Sequence, residues 1–196
     1  MLAYVEGSDP VLKDELLIVT AHYDHIGRRG NSIFNGADDN GSGTSTVLEI
    51  AQAFTLAKEA GVGPRRSVLF MLVSGEEKGL LGSEFYVNHP LFPLESTIAN
   101  INVDMVGRVD EKHAADPNYI YVIGSDRLST SLHEINEAAN EKYTQLALDY
   151  TYNAEDDPNR YYYRSDHYNF AERGIPAVFY FNGTHADYHQ DTDTVD

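Results

Sequence analysis

The sequence predicts an α/β protein folded as a three-layer α/β sandwich. Short runs rich in β-branched and aromatic residues, bounded by Gly, Pro, Asp or Asn, alternate with segments whose apolar residues recur about every 3.6 positions. Several of the short runs are continuously apolar, which is typical of strands buried on both faces of a sheet. Such alternation of strands and helices favours a sheet with helices packed on both sides.

The predicted elements follow from these patterns. Six runs are predicted to be strands: residues 2–7, 16–23, 67–74, 98–106, 119–124 and 177–182. Four segments with helical spacing are predicted to be helices: residues 43–60, 79–88, 127–143 and 166–173. Ser42 or Asn40 can cap the first helix, and Gly61 ends it. Residues 149–164 are predicted to form an exposed loop whose tyrosines line a pocket.

Composition narrows the class of protein. A chain of 196 residues favours one domain, here residues 1–196, and a net charge of −17 argues against nucleic acid and anionic membranes as partners. The absence of cysteine excludes disulfides and thiolate metal sites. No apolar stretch approaches the ~20 residues that span a bilayer, and no signal peptide is visible. Because a predicted strand starts directly after Met1 and the chain stops seven residues after His189, we expect a domain truncated at both ends.

Acidic and histidine residues follow most of the apolar runs. They are His22, Asp24, Asp38, Asp39, Glu76, Glu77, Asp104 and His189. Ligands of α/β sheets gather at the carboxyl ends of the strands, so these side chains are expected to lie near one another. The pattern predicts a hydrolytic enzyme with several metal ions.

Each motif alone also has an ordinary structural explanation. In His22-Tyr-Asp24, alternate residues of an extended chain point the same way, so Asp24 can orient the His22 imidazole, but a polar loop would look the same. A carboxylate in GADDNGSG can bridge two cations, although such a segment is equally a turn or a helix cap. His25 is interpreted as incidental.

The carboxylates after the later strands are more informative. Glu76 and Glu77 follow an apolar strand, where two carboxylates are unfavourable unless paired, solvated or bound to metal. Their side chains diverge, so one can bind metal while the other acts as a general base. Asp104 ends a strand and needs a metal, Arg108 or a helix end as its partner. His189 lies in a segment too polar for the core.

Together, two histidines and three carboxylates without cysteine fit a paired zinc site. Two cations about 3.5–4 Å apart polarise a scissile carbonyl and lower the pKa of a bridging water. The motifs of single-zinc proteases, serine hydrolases and Walker-type nucleotide sites are all missing from the sequence.

The motifs AHYDH, GADDNGSG, SGEE, NVDMVG, RSDHYNF and DYHQDTDT occur in this order between residues 21 and 194. Together they resemble the co-catalytic di-zinc aminopeptidases, the family that includes secreted bacterial leucyl-type aminopeptidases and the glutamate carboxypeptidases. The resemblance implies a central mixed, mostly parallel sheet flanked by helices. It also implies a secreted or periplasmic parent protein and a zinc-dependent exopeptidase that removes N-terminal residues from peptides.

The resemblance also implies a role for each residue of the site. The family's pattern gives two Zn²⁺ ions per chain, bridged by Asp38, with His22 and Asp104 on one ion and Glu77 and His189 on the other. It gives a metal-bound hydroxide as the attacking group, and these catalytic residues: Glu76 as general base, Asp24 as the partner of His22, and Tyr188 as a donor to the oxyanion. By the same resemblance, residues 164–167 are expected to border the substrate pocket, and the Asp38–Asp39 peptide bond is expected to be cis.

The ends of the chain depart from the family's pattern, because a preceding segment and a closing helix are missing. An apolar face of the sheet is therefore expected to be uncovered. Three other functions stay open: a glutaminyl-cyclase-like reaction with one zinc, a carboxypeptidase acting on acidic peptides, and a binding module without catalysis, as in the transferrin receptor ectodomain.

Overall fold

The structure is a computed structural model, and it describes residues 1–195. Its strands are β1 (Leu2–Val5), β2 (Leu16–His22), β3 (Gly27–Arg29), β4 (Ser32–Phe34), β5 (Ser67–Val73), β6 (Thr97–Val103), β7 (Tyr119–Ile123), β8 (Ala147–Asp149) and β9 (Ala177–Phe181). Its helices are α1 (Gly43–Glu59), α2 (Leu81–Asn88), α3 (Thr130–Ala139) and α4 (His167–Ala171).

Seven strands form one sheet in the order β1-β5-β2-β6-β9-β7-β8. The pairs β2–β5, β2–β6, β6–β9 and β7–β8 are parallel, and only β1–β5 and β7–β9 are antiparallel among the described pairs of this sheet. This arrangement confirms the mixed, mostly parallel sheet. It also sets β5, β2 and β6 side by side with their carboxyl ends at one edge.

The two faces of the sheet are covered by different helices. Ile18 and Met71 point to one face and pack in a core with Phe170 of α4. Val19, the neighbour of Ile18, points to the other face and packs with Val47 of α1. Alternate residues of a strand face opposite sides, so continuous apolar runs bury both. The three-layer prediction is therefore confirmed.

The boundaries differ from the prediction at several points. The strands of the main sheet end one to three residues before the predicted ends, and the helix predicted over residues 127–143 is regular only over Thr130–Ala139. A two-stranded hairpin, β3–β4, and the short strand β8 were not predicted. These strands have three residues each, too few to show a periodic pattern in the sequence.

An apolar groove of about 740 Å³ lies between α1 and α3, over the sheet. Ile50 and Phe54 of α1, Ile101 of β6 and Tyr180 of β9 contribute to its lining. Within residues 1–195, no helix has the length and apolar character needed to cross a bilayer.

His167, at the start of α4, is fully buried in the core. Its ring stacks on Phe179 with a centroid distance of 4.9 Å, and its two ring nitrogens have no hydrogen-bond partner among the described residues. Burial lowers the pKa of His167 to about 3, because the charged imidazolium would lose its hydration. The residue therefore behaves as a neutral aromatic part of the core.

We expect His167 to make the protein less stable as the pH falls. The unfolded chain takes up a proton at this position below about pH 6.5, whereas the folded chain does not until about pH 3. Between pH 7.5 and 5.5, metal-free wild type should lose about 1.4 kcal/mol more of its unfolding free energy than His167→Phe loses. Urea unfolding in the presence of a chelator measures this difference, and parallel pH profiles for the two proteins would contradict it.

Candidate metal centre

The strand ends bring the predicted side chains to one edge of the sheet. His22 is the last residue of β2, Asp104 follows β6 directly, and Glu76 and Glu77 lie just beyond β5. These three strands are neighbours in the order β5-β2-β6. His189 reaches the same edge from the segment that follows β9, with a backbone φ of 58°.

Two clusters of possible ligand atoms share the carboxylate of Asp39. In the first cluster, Nε2 of His22 lies 3.3 Å from Asp39 Oδ1 and 3.4 Å from Asp104 Oδ1. In the second cluster, Nε2 of His189 lies 3.0 Å from Asp39 Oδ2 and 3.4 Å from Glu77 Oε2. The two oxygens of Asp39 thus face the two clusters separately.

These separations fit a pair of zinc ions. Two ligand atoms about 2.1 Å from one ion, at an angle of about 90–110°, are about 2.9–3.4 Å apart. All four contacts of Asp39, Asp104 and Glu77 with the two histidines fall in this range. The donors are imidazole nitrogens and carboxylate oxygens, the set that divalent zinc accepts.

Asp38, the residue expected to bridge the two ions, is placed elsewhere. Its Oδ1 accepts the backbone N–H of Gly107 at 2.7 Å, and its Oδ2 accepts a hydrogen bond from Nε2 of His185 at 3.0 Å. The structure therefore puts Asp39, not Asp38, between the clusters. Adjacent residues of this irregular loop point in different directions, and the motif GADDNGSG alone does not show which aspartate faces the strand ends.

The loop that carries Asp39, Ala37–Ser42, is fixed from two sides. Asn40 donates from its amide to the carbonyl of Val103 at 3.0 Å, which ties the loop to the end of β6. The buried carboxylate of Asp193 accepts the backbone N–H groups of Asp38 and Asp39 at 3.0 and 3.1 Å. The cis peptide bond of this loop joins Asp39 to Asn40, one residue later than expected.

Asp24 contacts His22 mainly through its backbone. Nδ1–H of His22 donates to the carbonyl of Asp24 at 3.0 Å, while the Asp24 carboxylate is 3.7 Å away. That carboxylate accepts the backbone N–H groups of Glu76 and Glu77 at 3.3 and 3.4 Å. Because Nδ1 of His22 carries the proton, its Nε2 is free to bind a cation.

Asp104 is satisfied by Ser165 and not by Arg108. Ser165 Oγ donates to Asp104 Oδ2 at 2.6 Å and accepts from the amide of Asn102 at 2.8 Å. Arg108 instead donates to Asp187 at 3.2 Å. Oδ1 of Asp104 therefore stays available to the first cluster.

The charges of the site are strongly coupled. Burial raises the pKa of Glu76 to about 9, and the neighbouring carboxylate of Asp104 adds to the effect. Burial would lower the pKa of His22, but the carboxylates of Asp104 and Asp39 raise it far above its usual value. Contacts with Asp39 and Glu77 raise the pKa of His189 to about 9. So many buried carboxylates need positive charge beside them.

An open cavity of about 180 Å³ adjoins both clusters. Its apolar wall is formed by Met105, Tyr161, Phe179 and Phe181. Tyr161 is the one tyrosine of residues 149–164 among the cavity-lining residues. It is buried, and Tyr152 packs against the same apolar core, so the prediction of an exposed loop is wrong for this part of the segment. Other lining residues are Glu76, Arg164, Thr184 and Tyr188.

Tyr188 and Arg164 lie together at this cavity. The guanidinium of Arg164 donates to the Tyr188 hydroxyl at 3.2 Å. Burial, with the nearby charge of Asp39, raises the pKa of Tyr188, so its hydroxyl keeps its proton and can donate it in a hydrogen bond. Arg164 is the one cationic side chain besides histidine among the residues that line the cavity.

Three residues near the site were not singled out as functional from the sequence. His25 contacts the second cluster, His185 holds Asp38, and Asp193 holds the loop that carries Asp39. His25 stands in AHYDH, next to two residues already selected, and that proximity was the available signal. Nothing local in the sequence marks His185 or Asp193, because their partners are about 150 residues away.

Sequence comparison identifies proteins to which the chain is related. Residues 1–196 match peptidase family M28. Aminopeptidase YwaD of Bacillus subtilis is 34% identical over 170 residues, which are 86% of this chain and 32% of that protein. Leupeptin-inactivating enzyme 1 of Streptomyces exfoliatus is 31% identical over 189 residues, which are 96% of this chain and 36% of that protein. The chain thus spans about a third of the length of these relatives.

Solved structures share the fold. A zinc aminopeptidase from Bacillus subtilis, BSAP, superposes with a TM-score of 0.72 at 28% identity, covering 98% of this chain and 43% of that one. The LapA aminopeptidase of Legionella pneumophila superposes with a TM-score of 0.75 at 23% identity, covering 100% of this chain and 52% of that one, and shows likeness of fold alone. By its sequence match over the full length, the chain belongs to peptidase family M28.

Proposed function

We propose that the protein is a zinc-dependent aminopeptidase that holds two Zn²⁺ ions. The observation that carries the proposal is the Asp39 carboxylate, which presents one oxygen to His22 and the other to His189 at separations suited to zinc ligands. His22, Asp39 and Asp104 would hold one ion, and Asp39, Glu77 and His189 the other. Relatives described as aminopeptidases and a solved zinc aminopeptidase support this assignment.

Bound zinc would supply Lewis-acid polarisation of the scissile carbonyl and a lowered pKa for the attacking water. Glu76 is the proposed general base, because its carboxyl lines the cavity and one of its oxygens is 4.0 Å from Nε2 of His22. It takes a proton from the attacking water and passes it to the departing amine.

Tyr188 and the cavity wall would position the substrate. The Tyr188 hydroxyl donates a hydrogen bond to the oxygen on which negative charge develops. The first side chain of the peptide fits against Phe179 and Phe181, and its ammonium group is attracted by the carboxylates beside the cavity. Glu76 is one of these carboxylates.

The other open functions are less well supported by the site. A one-zinc cyclase needs only one of the two clusters, whereas here each cluster brings one histidine and two carboxylates together. A carboxypeptidase for acidic peptides needs several basic groups, and Arg164 alone among the cavity-lining residues offers a permanent positive charge. We expect the whole protein to act on peptides in a secreted or periplasmic setting.

Replacing Glu76 with Gln should reduce peptide turnover by about 10³-fold or more, because the group that moves the proton is lost. Zinc content should stay near two per chain. The neighbouring change Glu77→Gln should instead lower zinc content, since Glu77 is a proposed ligand. Elemental analysis and steady-state kinetics on both variants measure this; unchanged turnover of Glu76→Gln would refute the assignment.

The two adjacent aspartates provide a matched test of the bridging position. Asp39→Asn should reduce zinc content well below two ions per chain, because the shared ligand loses its charge. Asp38→Asn should keep both ions, since the Asp38 carboxylate accepts hydrogen bonds from Gly107 and His185 and does not face the two clusters. Zinc titration of the two variants measures this difference. Loss of zinc from Asp38→Asn but not from Asp39→Asn would show that Asp38 is the bridging ligand.

The direction of attack on the peptide is tested with blocked substrates. Peptides with a free amino end and an amidated carboxyl end should be hydrolysed, whereas peptides with an acetylated amino end should not. The reason is that the acidic groups beside the cavity attract an ammonium group. Mass spectrometry of the products measures the outcome. Hydrolysis of only the acetylated peptides would show a carboxypeptidase.

A further inference from the structure

His25 lies against the second cluster but has no role in the proposed function so far. It stands between β2 and β3, and its side chain is 7% exposed. Its Nδ1 lies 2.9 Å from Glu77 Oε1 and 3.9 Å from Asp39 Oδ2. The ring of His189 is close by, with a centroid distance of 5.7 Å and an interplanar angle of 67°.

These contacts of His25 are not hydrogen bonds. Among residues 1–195, neither ring nitrogen of His25 has a hydrogen-bond partner, and Oε1 of Glu77 has none either. Nε2 of His22, in the first cluster, has the same property. His185 provides the contrast, because its Nε2 makes an aligned hydrogen bond to Asp38 at 3.0 Å.

A buried imidazole nitrogen beside a carboxylate, without a hydrogen bond between them, is unfavourable unless something else joins them. A cation does so when both atoms direct lone pairs at it. The 2.9 Å separation between His25 and Glu77 equals that of two zinc ligands at a right angle. The longer distance to Asp39 corresponds to a wider angle at the same ion.

The backbone holds the His25 ring in place. Gly36 has a φ of +67°, and a Cβ built on it would lie 2.6 Å from Cγ of His25. Only glycine leaves room for the imidazole at this point. The ring therefore packs directly against the backbone at Gly36, and its Nδ1 faces the second cluster.

We propose that His25 is a fourth protein ligand, through Nδ1, of the cation that Asp39, Glu77 and His189 hold. This inference rests on the proposed two-zinc function. It gives the second cluster two nitrogen and two oxygen donors, against one nitrogen and two oxygens in the first. The second cluster is therefore the tighter site and fills first.

The direct test uses the unmodified chain with ¹⁵N-labelled histidine and ¹¹³Cd²⁺ in place of zinc. One equivalent of cadmium should give ¹¹³Cd–¹⁵N coupling at His25 Nδ1 and His189 Nε2, and the second equivalent should add coupling at His22 Nε2. Coupling at His22 and His189 without coupling at His25 would overturn this inference alone. Absence of coupling at all three would overturn the proposed metal site as well.

Variants give a second measurement. His25→Gln should weaken the tighter zinc site by at least about 100-fold in calorimetric titration, and should remove the preference for filling the second cluster first. His133→Gln is the matched control. His133 lies in α3 and contacts Ser125, so this variant should leave both zinc affinities unchanged. Wild-type affinities in His25→Gln would contradict the proposal; if that variant does not fold, the cadmium spectrum of the unmodified chain decides.

Discussion

The repulsion among buried carboxylates at one sheet edge is the constraint on which the site depends. Asp39, Asp104, Glu76 and Glu77 are drawn together by strand ends and one loop, with little water around them. Ionised carboxylates in such a setting are stable only beside matching positive charge. Divalent cations would supply this charge, and the spacing of the carboxylate oxygens and imidazole nitrogens leaves positions for them.

The fold produces this concentration of charge without any special local sequence. Parallel neighbours β5, β2 and β6 all end at the same edge, so residues that follow them meet there whatever their separation along the chain. The apolar strands also fix the register, since a slip of one residue would move Ile18 and Val19 to the wrong faces of the sheet. The apolar residues that bury the strands therefore also determine where the residues of the site lie.

The placement of the site by strand ends explains which of its features could be predicted from the sequence. The sandwich and the gathering of His22, Asp104 and the two glutamates were predictable, because they depend on strand ends that apolar periodicity reveals. The mixed, mostly parallel sheet was implied by the resemblance of the motifs to a known family. The choice between Asp38 and Asp39 was not, because it depends on loop geometry set by Asp193. That contact crosses 154 residues and leaves no local pattern.

The same limit applies to His25. From the sequence, His25 was interpreted as incidental. In an extended strand, residues i and i+3 point to opposite faces, so strand periodicity does not place His25 beside His22. The chain turns after His22, however, and the absence of a side chain at Gly36 leaves space for the ring. A histidine that is one turn past a strand can thus reach a site that strand periodicity would not assign to it.

The hydrogen bonds from Asp193 also have a consequence for biosynthesis. During translation, Asp39 leaves the ribosome long before Asp193 does, and until then its loop lacks one of its two anchors. His189 belongs to the same late stretch of chain. A nascent polypeptide that has completed every strand through Phe181 still lacks His189 and Asp193, so the proposed metal centre can assemble only after these residues are made.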